Sequence, residues 1–159
     1  MTPTGRAGIG FFLMLLFFSG CAIDHRRDGA ESMSMLETYL EMSEELRKAP
    51  TFATYEPYLS KELQAAIRLD LGPNIDEHTP FLAPPLWFDR VDETYERHVG
   101  ERHCLVVNGM SVDGDAISVA LEYVSTNELM KVRAVEIALF ESGETLPAEG
   151  WCPVRADEF

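Results

Sequence analysis

The sequence predicts a single α+β domain, with its helices first and its strands after them. Two periodicities carry this reading. Apolar residues recur at helical spacing over about 33–48 and again over about 60–70, whereas from Glu101 onward the period shortens to two. Helices grouped ahead of strands, rather than alternating with them, argue for an antiparallel sheet with helices segregated to one side. A third observation is length. Setting aside residues 1–20 as a processing segment leaves 139 residues, the usual size of one domain and enough to bury a core without metals.

That leading segment comes first in the chain. Arg6 precedes ten almost unbroken apolar residues, Ile9 to Phe18, and Ser19-Gly20 supply the small residues a signal peptidase needs beside its cut. A transmembrane helix needs about 20 apolar residues, and this run is too short before Asp24, His25, Arg26, Arg27 and Asp28 intervene. Phe18-Ser19-Gly20-Cys21 resembles the lipobox of bacterial lipoprotein precursors, with Phe18 where leucine is commonest. The resemblance implies that the Cys21 thiol receives a diacylglycerol and becomes the new N-terminus. It also implies sorting to the periplasmic face of the outer membrane, because Ala22 and not aspartate follows the cysteine. The division is then a signal over 1–20, a lipidated tether over 21–32 and one domain over 33–159.

Ser34 and Glu37 form a capping box, and Met35, Tyr39, Met42 and Leu46 follow at helical spacing with Leu36 and Leu40 beside them. Pro50 stops this helix near Ala49. Ser60 caps a second helix whose buried side is Leu59, Leu63, Ala66 and Ile67, ended by Gly72-Pro73. Residues 73–100 give the weakest pattern: prolines at 80, 84 and 85 stand among Phe81, Leu82, Leu86, Trp87 and Phe88, and Asp89 to His98 fits a strand or a short helix. Phe81, Leu82, Trp87, Phe88 and Tyr95 are candidates for a pocket lining or a partner contact, against the plainer role of packing on the domain.

Cys104 to Val107 reads as a short strand, with Asn108-Gly109 and Asp113-Gly114 as turns. Ile117, Val119, Leu121 and Tyr123 alternate with Ser118, Ala120 and Glu122, predicting one buried face. Val132 to Phe140 follows, with Val135, Ile137 and Leu139 inward, and Trp151 to Val154 reads as a short last strand.

Charge and cysteines bound the function. There are 13 Lys+Arg against 27 Asp+Glu, a formal charge of −14, and only Arg6 falls in the signal. Nucleic acid is excluded as a partner, since its affinity comes from cations that neutralise phosphates; a basic protein suits the surface better. Cys104 and Cys152 are the cysteines outside the lipobox, and an exported chain sits where thiols oxidise, so they are expected to pair. Closing that loop of about 49 residues would stabilise the fold by roughly 4 kcal/mol.

Three stretches resemble the nuclear transport factor 2-like and cystatin-like superfamily. Tyr58-Leu59-Ser60-Lys61-Glu62-Leu63 is similar to a helix start in those proteins, Thr79-Pro80-Phe81-Leu82 to a loop that there reads Asp-Pro-Phe, and Val112-Asp113-Gly114-Asp115-Ala116 to the hairpin before the longest strand. The family's closing Trp-Lys/Arg-Ile-Asp is altered here to Trp151-Cys152-Pro153-Val154. The resemblance implies helices packed into a curved antiparallel sheet, a cone-like fold, and several small lipoproteins belong to the class. In its catalytic members an Asp and a His pair inside the cone.

No motif in this chain fixes such a pair. His98, His103 and Glu101 could be drawn as metal ligands, but their spacing matches no zinc or calcium signature, and Asp113-Gly114-Asp115 is too short for an EF-hand loop. A phosphate loop and a Gly-x-Ser-x-Gly elbow are absent from the sequence. A nucleophilic Cys104 activated by His103 is disfavoured, because neighbours on a strand point to opposite faces. Catalytic residues, a metal and a cofactor are therefore not assigned. The leading expectation is a non-catalytic envelope lipoprotein, held to the membrane by lipid on Cys21, that binds a protein or small ligand; a toxin-neutralising immunity protein is its narrower form. The alternatives are a small cone-fold enzyme using a pocket His and Asp, and a structural protein of envelope maintenance.

Overall fold

A computed structural model describes residues 34–127, 129–141 and 144–154. Cys21 and the expected signal and tether lie outside the described residues.

Helix α1 (Met35–Lys48) starts where Ser34 Oγ accepts from the Glu37 amide at 3.1 Å and Glu37 Oε2 accepts from the Ser34 amide at 2.8 Å. This reciprocal cap satisfies two amides the helix leaves unpaired. Met35, Tyr39, Met42 and Leu46 are buried on one side, each such side chain contributing about 1.5–3 kcal/mol of transfer free energy. A short α2 (Phe52–Tyr55) and a tight turn (Glu56–Tyr58) lead into α3 (Lys61–Leu71), capped by Ser60 and ended by Gly72 at φ 54°. Here the expectation for the second helix needs correction. Leu59 is buried, Leu63 and Ile67 are half-buried and Ala66 is exposed, so α3 lies at the margin of the core.

Residues 73–100 are structured throughout. They form α4 (Ile75–Leu82), a tight turn (Pro84–Leu86) and β1 (Phe88–Val99). Pro80 sits inside α4 and cannot donate to the Asp76 carbonyl, and the helix ends soon after, at Leu82. Trp87 donates its indole N–H to the Pro80 carbonyl at 3.1 Å, which folds the proline-rich turn onto the helix end.

β1, β2 (Arg102–Ser111), β3 (Ala116–Thr126) and β4 (Leu129–Phe140) form an antiparallel meander in the order β1-β2-β3-β4. Asn108-Gly109, expected as a turn, lies within β2, and the turn falls at Asp113-Gly114, where Gly114 takes φ 91°. Gly109 is required for a different reason. A Cβ at Gly109 would lie 2.0 Å from the Arg90 carbonyl oxygen, because β1 is irregular between Phe88 and Arg90 and between Val91 and Glu93.

The helices cover one face of the sheet. Leu105, Val107, Ile117, Val119, Leu121, Tyr123 and Val132 pack there against Met35, Tyr39, Met42, Tyr55 and Leu59. β3 is also buried on its other face, contrary to the one-sided expectation: Ser118, Ala120 and Glu122 are as inaccessible as their neighbours. What covers them is the segment 144–154, which is not the strand expected at Trp151 to Val154 but an irregular strap across the sheet. Cys152 of the strap is bonded to Cys104 of β2, with Cα atoms 5.4 Å apart. Arg97 donates to the Gly150 carbonyl at 2.7 Å, Asn108 to the Pro147 carbonyl at 2.7 Å and Arg102 to the Pro153 carbonyl, while the Val154 amide donates to Glu136 Oε2 at 2.7 Å. With Pro147 and Pro153 lacking an N–H, the strap is held by side chains and not by a backbone ladder.

On β4, Ile137 and Leu139 pair with Val119 and Ile117 and so face the helix side as expected. They are nonetheless 46% and 70% exposed, because the helices leave that end of the edge strand uncovered.

Candidate functional site

The structure separates the five residues singled out for a pocket or contact. Phe88 is buried in the core, Leu82 and Trp87 pack half-buried against it, and Phe81 on α4 is 76% exposed. Tyr95 lies opposite Val106 on the strap side of β1 and donates to Glu93 Oε2 at 2.6 Å.

The histidines divide as well. His78 is exposed on α4, far from the sheet register that joins His98 to His103 across the β1–β2 hairpin. Their Nδ1 atoms are 2.8 Å apart, with ring centroids 5.0 Å apart and planes at 80°. Within this contact one Nδ1 donates and the other accepts, the roles being set by the tautomers. Among the described residues no three His, Cys, Asp or Glu side chains gather as a metal would require. His103 points to the helix face and Cys104 to the strap, where the latter is consumed in its disulfide.

A groove of about 510 Å³ lies between α1 and β1. Its apolar floor comes from Leu36, Tyr39 and Leu40 on the helix and Val91 on the strand, and its rim from Arg47 and Arg90 among acids. Leu40 and Val91 are 56% and 40% exposed, so this apolar surface is open to solvent. The sequence held the signal for it: Leu36 and Leu40 flank the core stripe of α1 and widen it beyond what the core absorbs. β1 supplies the opposite wall, with its register irregularities between Phe88 and Glu93 beside the groove. A smaller groove of about 260 Å³ is lined by Asp115, Glu141 and Glu144 at the far end of the sheet.

Two buried polar groups stand out below these surfaces. Glu122, almost fully buried under the strap, takes both Nε and an Nη of Arg102 at 3.1 and 2.8 Å and lies 3.3 Å from Arg133. Paired guanidinium forks offset the cost of burying a carboxylate. On the helix face Tyr39, Tyr55 and Tyr123 are enclosed together, and burial pushes the hydroxyl pKa of each upward. The Tyr123 hydroxyl finds no hydrogen-bond partner among the described residues; nor do Asn108 Oδ1, Ser118 Oγ and Trp151 Nε1, which lie at the junction of sheet and strap. Each such group costs about 1–3 kcal/mol of desolvation left unrecovered.

No helix of the described residues is long and apolar enough to cross a membrane. No family model matches the chain, and no curated protein and no solved structure was found to match it.

Proposed function

We propose that this chain is a lipid-anchored envelope protein whose domain binds a protein partner and performs no chemistry of its own. The observation that carries the reading is the α1–β1 groove, an open apolar floor with a charged rim, which suits a protein segment more than an enclosed substrate. The formal charge of −14 favours a basic partner, and neutralisation of a secreted toxin with a basic cleft is the narrower form. The short apolar leader and Cys21 support the anchor. The proposal also takes the sheet as the curved, cone-like one of the nuclear transport factor 2-like and cystatin-like proteins, supported by helices leading into an antiparallel meander; a crystal structure with a flat sheet would remove that part.

The test places a photocrosslinker at Leu40 in the full chain expressed in its envelope. One basic protein should be captured, and Leu40→Asp with Val91→Asp should abolish capture when the crosslinker is moved to Leu36. Equal capture from Leu69, which is 85% exposed and off the groove, would defeat the reading. Labelling with radioactive palmitate should be lost in Cys21→Ser, and labelling that persists would defeat the anchor.

The contact between His98 and His103 favours a second reading, an enzyme that moves a proton through paired imidazoles. His98→Gln with His103→Gln should leave partner capture unchanged if the domain only binds. Loss of an assayed turnover with capture intact would favour the enzyme.

A further inference from the structure

We propose that the strap 144–154 is a redox-released cover, with the Cys104–Cys152 bond as its catch and the strap-side face of the sheet as what it hides. The sheet has four strands and the strap adds none, so no backbone ladder holds it. Its non-covalent attachments described above join side chains to main-chain groups at Pro147, Gly150, Pro153 and Val154. Gly150 fits only because it lacks a side chain, a Cβ there lying 2.8 Å from the Arg97 Cβ.

The interface beneath is poorly satisfied. Asn108 and Ser118 face each other across β2 and β3. Asn108 Oδ1, Ser118 Oγ and the Trp151 indole N–H are enclosed there without partners among the described residues. Opening the strap hydrates all three, which lowers the cost of release. The covalent bond therefore adds to these side-chain contacts the hold that a backbone ladder would otherwise give. The helix-side core contains no residue of the strap.

Release requires a dithiol reductant. Its thiolate attacks Cys152 Sγ, the half-buried partner, and the Cys104 sulfur leaves as thiolate and takes a proton. The second thiol of the reductant then displaces Cys152 from the mixed disulfide. The protein gains two electrons and two protons, and the reductant ends as a disulfide. The face uncovered carries Val106, Asn108, Ser118 and Ala120 beside the Glu122–Arg102 pair.

The test compares the oxidised full chain with the same chain held in dithiothreitol, and with the Cys104→Ser, Cys152→Ser double variant. Limited thermolysin digestion with mass-spectrometric mapping gives the cleavage rate within 144–154, and amide hydrogen exchange gives the protection of α1 and β2. Reduction should raise strap cleavage at least tenfold while α1 and β2 keep their protection, and the double variant should behave as the reduced chain does. A smaller rise would show a strap docked without its catch and would overturn the proposal. Loss of α1 and β2 protection together with the strap would overturn it too, by showing a bond that staples the whole domain.

Discussion

Breaking the Cys104–Cys152 bond offers a perturbation whose size can be worked out in advance. The bond joins residues 48 apart and so closes a loop of about 49 residues. In the chain-entropy description the cross-link removes about 2.1 + 1.5R ln 49, or roughly 14 cal/mol/K, from the unfolded ensemble, equivalent to about 4 kcal/mol at 25 °C. Domains of this size hold about 5–15 kcal/mol in total, so the reduced protein stays folded with a much smaller margin. At roughly 4 °C per kcal/mol the melting temperature should fall by at most about 15 °C. Urea unfolding with and without reductant measures the change, with Cys104→Ser expected to match the reduced wild type. That variant should show no further response to reductant. The figure of about 4 kcal/mol is a ceiling, reached only by a strap that stays docked after reduction. A strap that departs adds entropy to the reduced native state and brings the loss below that figure. Equal stability with and without reductant would refute the reasoning, since no loop constraint would then be acting on the unfolded chain.

Further outcomes follow from single groups. Gly109→Ala places a Cβ against the Arg90 carbonyl and should cost about 3 kcal/mol in urea unfolding, while Gly114→Ala, with open space but a φ of 91°, should cost about 1 kcal/mol. Tyr123→Phe removes a buried hydroxyl that has no partner among the described residues, and should leave stability unchanged or raise it by about 1 kcal/mol; a loss above 2 kcal/mol would mean the hydroxyl is satisfied. The Ser34 backbone and side-chain hydrogen bonds hold the Glu37 carboxyl below its ordinary value of 4.5. A group depressed in the folded state contributes stability that is complete above 4.5 and is lost as pH falls through the lower folded value. Glu37→Gln should therefore flatten the fall in melting temperature below pH 4.5, and an unchanged acid limb would count against the cap.

What could be read in the chain depended on how local the determining forces are. Met35, Tyr39, Met42 and Leu46 announce α1 because a helix repeats within a few residues, and the Ser34–Glu37 box marks its start. α4 was hidden by Pro80, a residue that normally ends a helix and here sits inside one. Trp151 to Val154 reads as a strand and not as part of a strap because the strap's partners, Arg97, Arg102 and Asn108, lie 39 to 53 positions away and act through side chains. The same distance explains β3: alternation in its sequence could not say that residues 144–154 would cover Ser118 and Glu122. Asn108-Gly109 carried a turn signature, yet glycine is needed there for a close approach by Arg90. The groove was half legible. Leu36 and Leu40 widen the stripe of α1, but the opposite wall is set by the placement of β1, which no residue near the helix encodes.

The disulfide also decides how the molecule meets a mechanical load. Cys104 and Cys152 turn the chain between them into a closed ring that contains most of β2, all of β3 and β4, and most of the strap. Tension entering at the N-terminus and leaving at the C-terminus passes through the sulfur–sulfur bond and bypasses the ring. At about 3.4 Å per residue, the 48-residue span withholds roughly 160 Å of contour length from extension. Pulling on the oxidised protein can therefore reel out the helices and β1, while β3 and β4 carry none of the force until the bond is cut.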